Sequence, residues 1–81
     1  MAATALQSDA IWLRAADYRV QALNPKLTSR VAELTLGLKA GLPACPDLSR
    51  RDFYDVELQS GWAYIHVCDG RRIVYLVAYS G

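Results

Sequence analysis

The side chains best equipped for chemistry are His66, Tyr79 and two arginine pairs, Arg50-Arg51 and Arg71-Arg72. Imidazole is the side chain whose ordinary pKa lies near neutrality, so His66 is the natural general acid or base, with the Tyr79 phenol as a second catalytic candidate. Arginine makes bidentate hydrogen bonds to phosphate or carboxylate, which marks the four arginines as contacts for nucleic acid or an acidic partner. Each also has a plainer reading. A histidine inside an aromatic stretch is commonly a packed, hydrogen-bonded residue. Arg50 and Arg51 have Asp47 and Asp52 beside them in a polar loop, and Arg71 and Arg72 follow an Asp69-Gly70 turn, where they would keep a hairpin soluble. Cys45 and Cys68 fit no zinc or redox spacing, and one histidine cannot complete a ligand set. Both cysteines are expected to act as small hydrophobes, and no metal or cofactor is expected. There is no Gly-rich phosphate loop, paired-carboxylate signature or Ser/His/Asp spacing.

The elements that would position these residues follow from periodicity. Ser8-Asp9 reads as a helix start, and Ile11, Ala15, Tyr18 and Ala22 share one helical stripe, predicting a helix over about 8–23. Asn24-Pro25 breaks it, since the residue before proline leaves the α region. Leu27, Val31, Leu34 and Leu38 predict a second helix over about 26–40, stopped by Gly41 and Pro43. Residues 41–52 read as a proline-punctuated connector. From Phe53 the period becomes two: Tyr54, Val56 and Leu58 alternate with Asp55, Glu57 and Gln59. Strands are predicted over about 53–59, 62–68 and 72–79, joined by Ser60-Gly61 and by Asp69-Gly70, the latter a type I′ signal. The expected fold is therefore α+β: one domain over 1–81, with an N-terminal helical hairpin packed on a three-stranded antiparallel β-meander. Leu34, Val56, Ile65 and Val77 are the expected core. If Ile73–Tyr79 or Phe53–Gln59 lay at a sheet edge, its backbone would be open to a partner strand or helix.

Composition narrows the function classes. Of 81 residues, 53% are hydrophobic and 21% charged, enough apolar matter for one small core. Nine Lys/Arg against eight Asp/Glu give +1, which excludes a polybasic arm or an acidic tail. No stretch reaches the ~18–20 apolar residues of a membrane-spanning helix. The first residues, MAATALQSDA, lack the pattern of a signal peptide, so the cytoplasm is the expected compartment. Tyr18, Tyr54, Trp62, Tyr64, Tyr75 and Tyr79 are more aromatics than one small core hides, so some should reach an interface.

From Leu27 to Gly81 the chain resembles the RelE/ParE toxin superfamily, the toxin half of bacterial toxin–antitoxin pairs. The resemblance rests on the helix LTSRVAELTLGLKAG, the connector LSRRD, the strand FYDVELQSG and the tail WAYIHVCDGRRIVYLVAYSG. It implies a RelE/ParE-like, shortened fold, a toxin-like action on RNA or another large target, and an antitoxin-like partner. The sequence departs from the family pattern at several positions. The arginine of the aromatic-led strand falls at Ala63, basic positions of the preceding strand fall at Asp55 and Glu57, and the C-terminal basic cluster would lie past Gly81. The family's first strand would fall on Ala2–Gln7. The alternative reading is a non-catalytic interaction module that binds a partner, or a second copy of itself as a homodimer, through its β-sheet. Neither reading places the protein in a membrane.

Overall fold

A computed structural model describes residues 10–81. The expected helix start at Ser8-Asp9 and the family strand at Ala2–Gln7 lie outside these residues. Six strands form one mixed sheet: β1 (Ile11–Leu13), β2 (Arg19–Ala22), β3 (Leu42–Pro46), β4 (Phe53–Glu57), β5 (Trp62–Cys68) and β6 (Ile73–Ser80). Their spatial order is β1-β3-β4-β5-β6-β2, antiparallel throughout except for the parallel pair β2–β6. A 3-10 turn, Pro25–Arg30, leads into the one α-helix of the described residues, α1 (Val31–Ala40).

The predicted helical hairpin on a three-stranded meander is thus overturned. Residues 11–22 supply two edge strands in place of a first helix. Ile11, Trp12 and Val20 are β-branched or aromatic, and Arg19-Val20-Gln21-Ala22 alternates exposed and half-buried positions as a strand does. Pairing decides the matter: Val20 lies beside Val74, while the Arg19 and Leu23 amides donate to the carbonyls of Arg72 and Leu76 at 2.9 and 3.0 Å. Such non-local partners outweigh a weak helical stripe. The expected connector over 41–52 is corrected too, because Leu42–Pro46 pairs with both β1 and β4 despite its two prolines. In consequence β4 is flanked on both sides and β6 is flanked by β2 over Ile73–Leu76, so neither is the free edge along its whole length that the edge-strand route to a partner through Phe53–Gln59 or Ile73–Tyr79 would use.

The strands from Phe53 onwards form near their predicted places, whereas the second predicted helix, 26–40, is α-helical only over Val31–Ala40, its first part being the 3-10 segment Pro25–Arg30. Asn24 caps the 3-10 turn, its side chain accepting from the Lys26 amide at 2.9 Å, with Pro25 in the first position. Gly41 ends α1 at φ +100, a conformation that disfavours side chains. The β5–β6 hairpin forms, but the positive φ sits at Arg72 and not at Asp69-Gly70 as a type I′ turn requires. Hydrogen bonds from Arg71 to Cys68 and from Arg72 to Asp69 close a four-residue loop instead.

Leu34, Leu38, Val56, Ile65, Val74 and Leu76 are completely enclosed. Val77, expected among them, is half-buried. Ile65 pairs with Leu76 and Tyr64 with Ala78, so Val77 is the extra residue of a β-bulge. The sheet is strongly curled around this core. A flat six-stranded sheet would hold its outer strands about 24 Å apart, whereas the six steps from Leu13 to Arg19 reach at most about 21 Å. The same strap must also run from one end of the strands to the other, and it bends at Ala15–Tyr18, where Ala15 donates to the Leu38 carbonyl. The core therefore lies on the concave, helix-bearing side, and the other side of the sheet is open.

Candidate functional site on the open sheet face

Alternation along β5 buries Ala63, Ile65 and Val67 and leaves Trp62, Tyr64, His66 and Cys68 half-buried on the outer face. Cross-strand register then assembles a row that no single segment contains: Phe53 opposite His66, His66 opposite Tyr75, Tyr75 opposite Gln21. The rings form a column. Phe53 and His66 stack with centroids 4.4 Å apart and planes 8° from parallel, and His66 continues to Tyr75 at 6.0 Å. Arg50 caps it, its guanidinium carbon 4.0 Å from the Phe53 centroid, while Tyr64 tilts against Phe53 at 5.5 Å. Below this row lies Asp55 opposite Tyr64, and below that Glu57 opposite Trp62.

A buttress locks one side of the face. The Tyr64 hydroxyl donates to Asp47, whose other oxygen accepts from the Ser49 amide at 2.9 Å and hydroxyl at 2.8 Å. These bonds, the Tyr64 one foremost, hold the Asp47 carboxyl down to about 2. Burial, and then the bond to Asp47, push the Tyr64 phenol up. Burial also raises the Asp55 carboxyl, and the charge of Asp47 adds to the effect. The outer face is therefore aromatic in the middle and acidic towards Glu57, with the Arg50 guanidinium and the Asp47 carboxylate side by side at the other end.

The predicted site residues do not converge. His66 is a ring in the column, flanked on both sides by aromatic rings. Tyr79 falls on the opposite side of the sheet among residues packed against the core, where its hydroxyl donates to Ser60 Oγ at 2.6 Å. Ser60 donates in turn to Glu33 through its hydroxyl at 2.6 Å and its amide at 3.1 Å, and Arg30 lies 4.5 Å over the Tyr79 ring. The Ser60 hydroxyl bond lowers the Glu33 carboxyl, and the cluster ties the β4–β5 turn to α1 and β6. Arg50, Arg51, Arg71 and Arg72 share one end of the sheet with Arg19, but Asp17, Asp47, Asp52 and Asp69 are interleaved with them. They also divide between faces. Arg50 covers Phe53 outside, whereas Arg72 lies 5.4 Å from the ring of core-packed Tyr18 and 3.7 Å from Asp17.

Sequence reasoning anticipated that some of Trp62, Tyr64 and Tyr75 would surface but passed over Phe53, which the period-two pattern of 53–59 sets on the same side as Asp55. The Arg30–Glu33–Ser60–Tyr79 cluster had no local signal, because Glu33 and Ser60 are 27 residues apart. Among the described residues no three His, Cys, Asp or Glu side chains are grouped to hold a metal, and no helix is long and apolar enough to cross a membrane. Comparison with family models, with curated proteins and with solved structures gives no match, so function must be argued from the geometry of this chain.

Proposed function

We propose that the protein is a non-catalytic interaction module that docks a partner protein on the outer face of β4–β6. The column Arg50–Phe53–His66–Tyr75, flanked by Tyr64 and Trp62, carries this reading. Tyr, Trp and Arg supply much of the binding energy at protein interfaces, and here Trp62, Tyr64 and Tyr75 sit half-buried on β5 and β6 with exposed Arg50 beside them from the loop before β4. A nucleic-acid strand fits this face less well. Stacked bases need free ring faces, which Phe53 and His66 give to one another and to Arg50, and Asp47, Asp55 and Glu57 repel phosphate.

Tyr75→Arg tests the reading, because it alters the outer face and leaves the core intact. Tagged parent should retain a specific protein from host lysate that the variant, equally folded by circular dichroism, loses. Retention of the same protein by both would refute it. A second reading is the toxin-like action on RNA that the family resemblance suggests, for which Arg50, Arg51, Arg71 and Arg72 share one end of the sheet but are divided between its faces and interleaved with aspartates. Growth arrest on induced expression, relieved in Arg50→Ala/Arg51→Ala at equal soluble level, would select it.

A further inference from the structure

We infer that the outer face takes up an arginine side chain of the partner protein, its guanidinium laid between the rings of Trp62 and Tyr64 and held by the Asp55 carboxylate. The inference rests on the interaction reading above and names the chemistry of the partner.

The receiving space is a cleft across β4, β5 and β6. Tyr64 lies opposite Ala78 and Trp62 opposite Ser80, so each large ring on β5 faces a small side chain on β6. The result is a shallow cavity of about 140 Å³ lined by Asp55, Trp62, Tyr64, Ala78 and Ser80. Small-molecule pockets run from about 300 Å³ upwards, so this one suits a single side chain. Trp62 and Tyr64 are two residues apart on one face of β5, roughly 6.7 Å at strand rise. That is close to twice the roughly 3.5 Å of carbon contact, a width that admits one flat group. Tyr64 is a fixed wall, since its hydroxyl donates to Asp47 and its ring tilts against Phe53. Trp62 stacks on no ring and holds no cation among the described residues, which leaves its ring to a ligand.

Charge selects a cation for the slot. Asp55 lies opposite Tyr64 and Glu57 opposite Trp62, and neither is paired with a cation among the described residues. The surrounding charges do not neutralise them. Arg50 lies over Phe53 and near the Tyr64 hydroxyl, where the Asp47 carboxylate balances it. Arg14 donates to the Lys39 carbonyl at 3.1 Å, at the end of α1 where Lys39 itself sits. Arg30 covers Tyr79 on the core side, and Arg19 stands opposite Ile73 at the far end of the sheet. None of these cations lines the cleft. Burial, and then the charge of Asp47, raise the Asp55 carboxyl, a cost that a cation beside it relieves. Among cationic side chains the guanidinium is the flat one: it stacks on aromatic faces and offers two parallel donors to one carboxylate, as an ammonium does not.

NMR titration of the full ¹⁵N-labelled chain at low salt with the blocked peptide Ac-Gly-Arg-Gly-NH₂, beside its lysine and citrulline counterparts, is the experiment. One stacked, partly exposed ion pair implies a Kd on the order of 10 mM. The arginine peptide should shift the Trp62 indole N–H and the Tyr64 and Ala78 amides saturably. Lysine, charged but not flat, should bind at least about threefold more weakly, and citrulline, flat but uncharged, about tenfold more weakly. Asp55→Asn and Trp62→Ala should each weaken the arginine peptide by at least about threefold, with thermal melts matching the parent. Absence of saturable shifts at these positions, lysine or citrulline binding as well as arginine, or an Asp55→Asn chain that binds like the parent would overturn the arginine inference. If tagged parent then still retained a lysate protein in a Tyr75-dependent way, the face would remain a docking surface read by other chemistry. Loss of both results would remove the interaction reading as well.

Discussion

Val20→Ala gives opposite signs for a strand and for a helix over residues 11–22, and so tests the strand assignment directly. In β2, Val20 faces inward, half-buried beside Val74 and packed on the core. Removing its two methyls forfeits about 0.8 kcal/mol for each fully buried group, or roughly 1 kcal/mol for the half-buried side chain. The lower preference of alanine for a strand adds up to about 1 kcal/mol more. A loss of about 1–2 kcal/mol corresponds to a fall in Tm of roughly 4–16 °C for a domain of this length. Were the segment a helix, Val20 would lie off the Ile11–Ala15–Tyr18–Ala22 stripe, and alanine would be the better residue by up to about 0.7 kcal/mol. Tm would then rise by a few degrees. Thermal unfolding followed by circular dichroism decides between them, with outward-facing Gln21→Ala as a control expected within about 0.5 kcal/mol of the parent. A Val20→Ala protein melting at or above the parent would refute the parallel β2–β6 pairing.

Two further outcomes follow from the site and its supports. The Asp47 carboxyl is lowered from 3.8 to about 2, so its contribution to stability is present above the ordinary carboxylate range and drains away as pH falls from about 4 through 2. Tyr64→Phe should return the carboxyl towards its ordinary value in an NMR titration and flatten that acid limb; an unmoved titration would show that Tyr64 does not set it. Gly61→Ala should lower the urea midpoint, because a Cβ there would run into the backbone carbonyl of Ser80, which cannot swing aside as a side chain does. An unchanged midpoint would mean the β4–β5 turn is looser than its packing implies.

What the sequence made legible divides along the range of the interactions that decide each element. Phe53–Glu57, Trp62–Cys68 and Ile73–Ser80 are locally specified: alternation, β-branched residues and turn residues all agree, and the strands form where expected. The Asn24-Pro25 break and the Gly41 stop are local as well. Residues 11–22 are not. Their apolar positions satisfy a helical stripe and a strand about equally, and the choice falls to Leu42–Ala44 and Ile73–Leu76, far along the chain. Pro43 and Pro46 hid β3 for a related reason, since proline argues against a strand until the pairing is known. The aromatic face shows the same split. The outward alternation of Asp55 and Glu57 was readable, but the column Phe53–His66–Tyr75 exists only through the register of three strands.

The strap that carries β1 to one edge of the sheet and β2 to the other gives a single short stretch custody of both. Local opening of residues 11–22 would strip the outer flanks of β3 and β6 in one event, where most sheets would lose one flank at a time. The two flanks are not equally dangerous. Pro43 and Pro46 lack amides and blunt β3 as a template, but Ile73–Ser80 is eight residues of IVYLVAYS with neither charge nor proline. The partly opened molecule, and not the unfolded chain, is thus the species in which a growing aggregate would find its first strand.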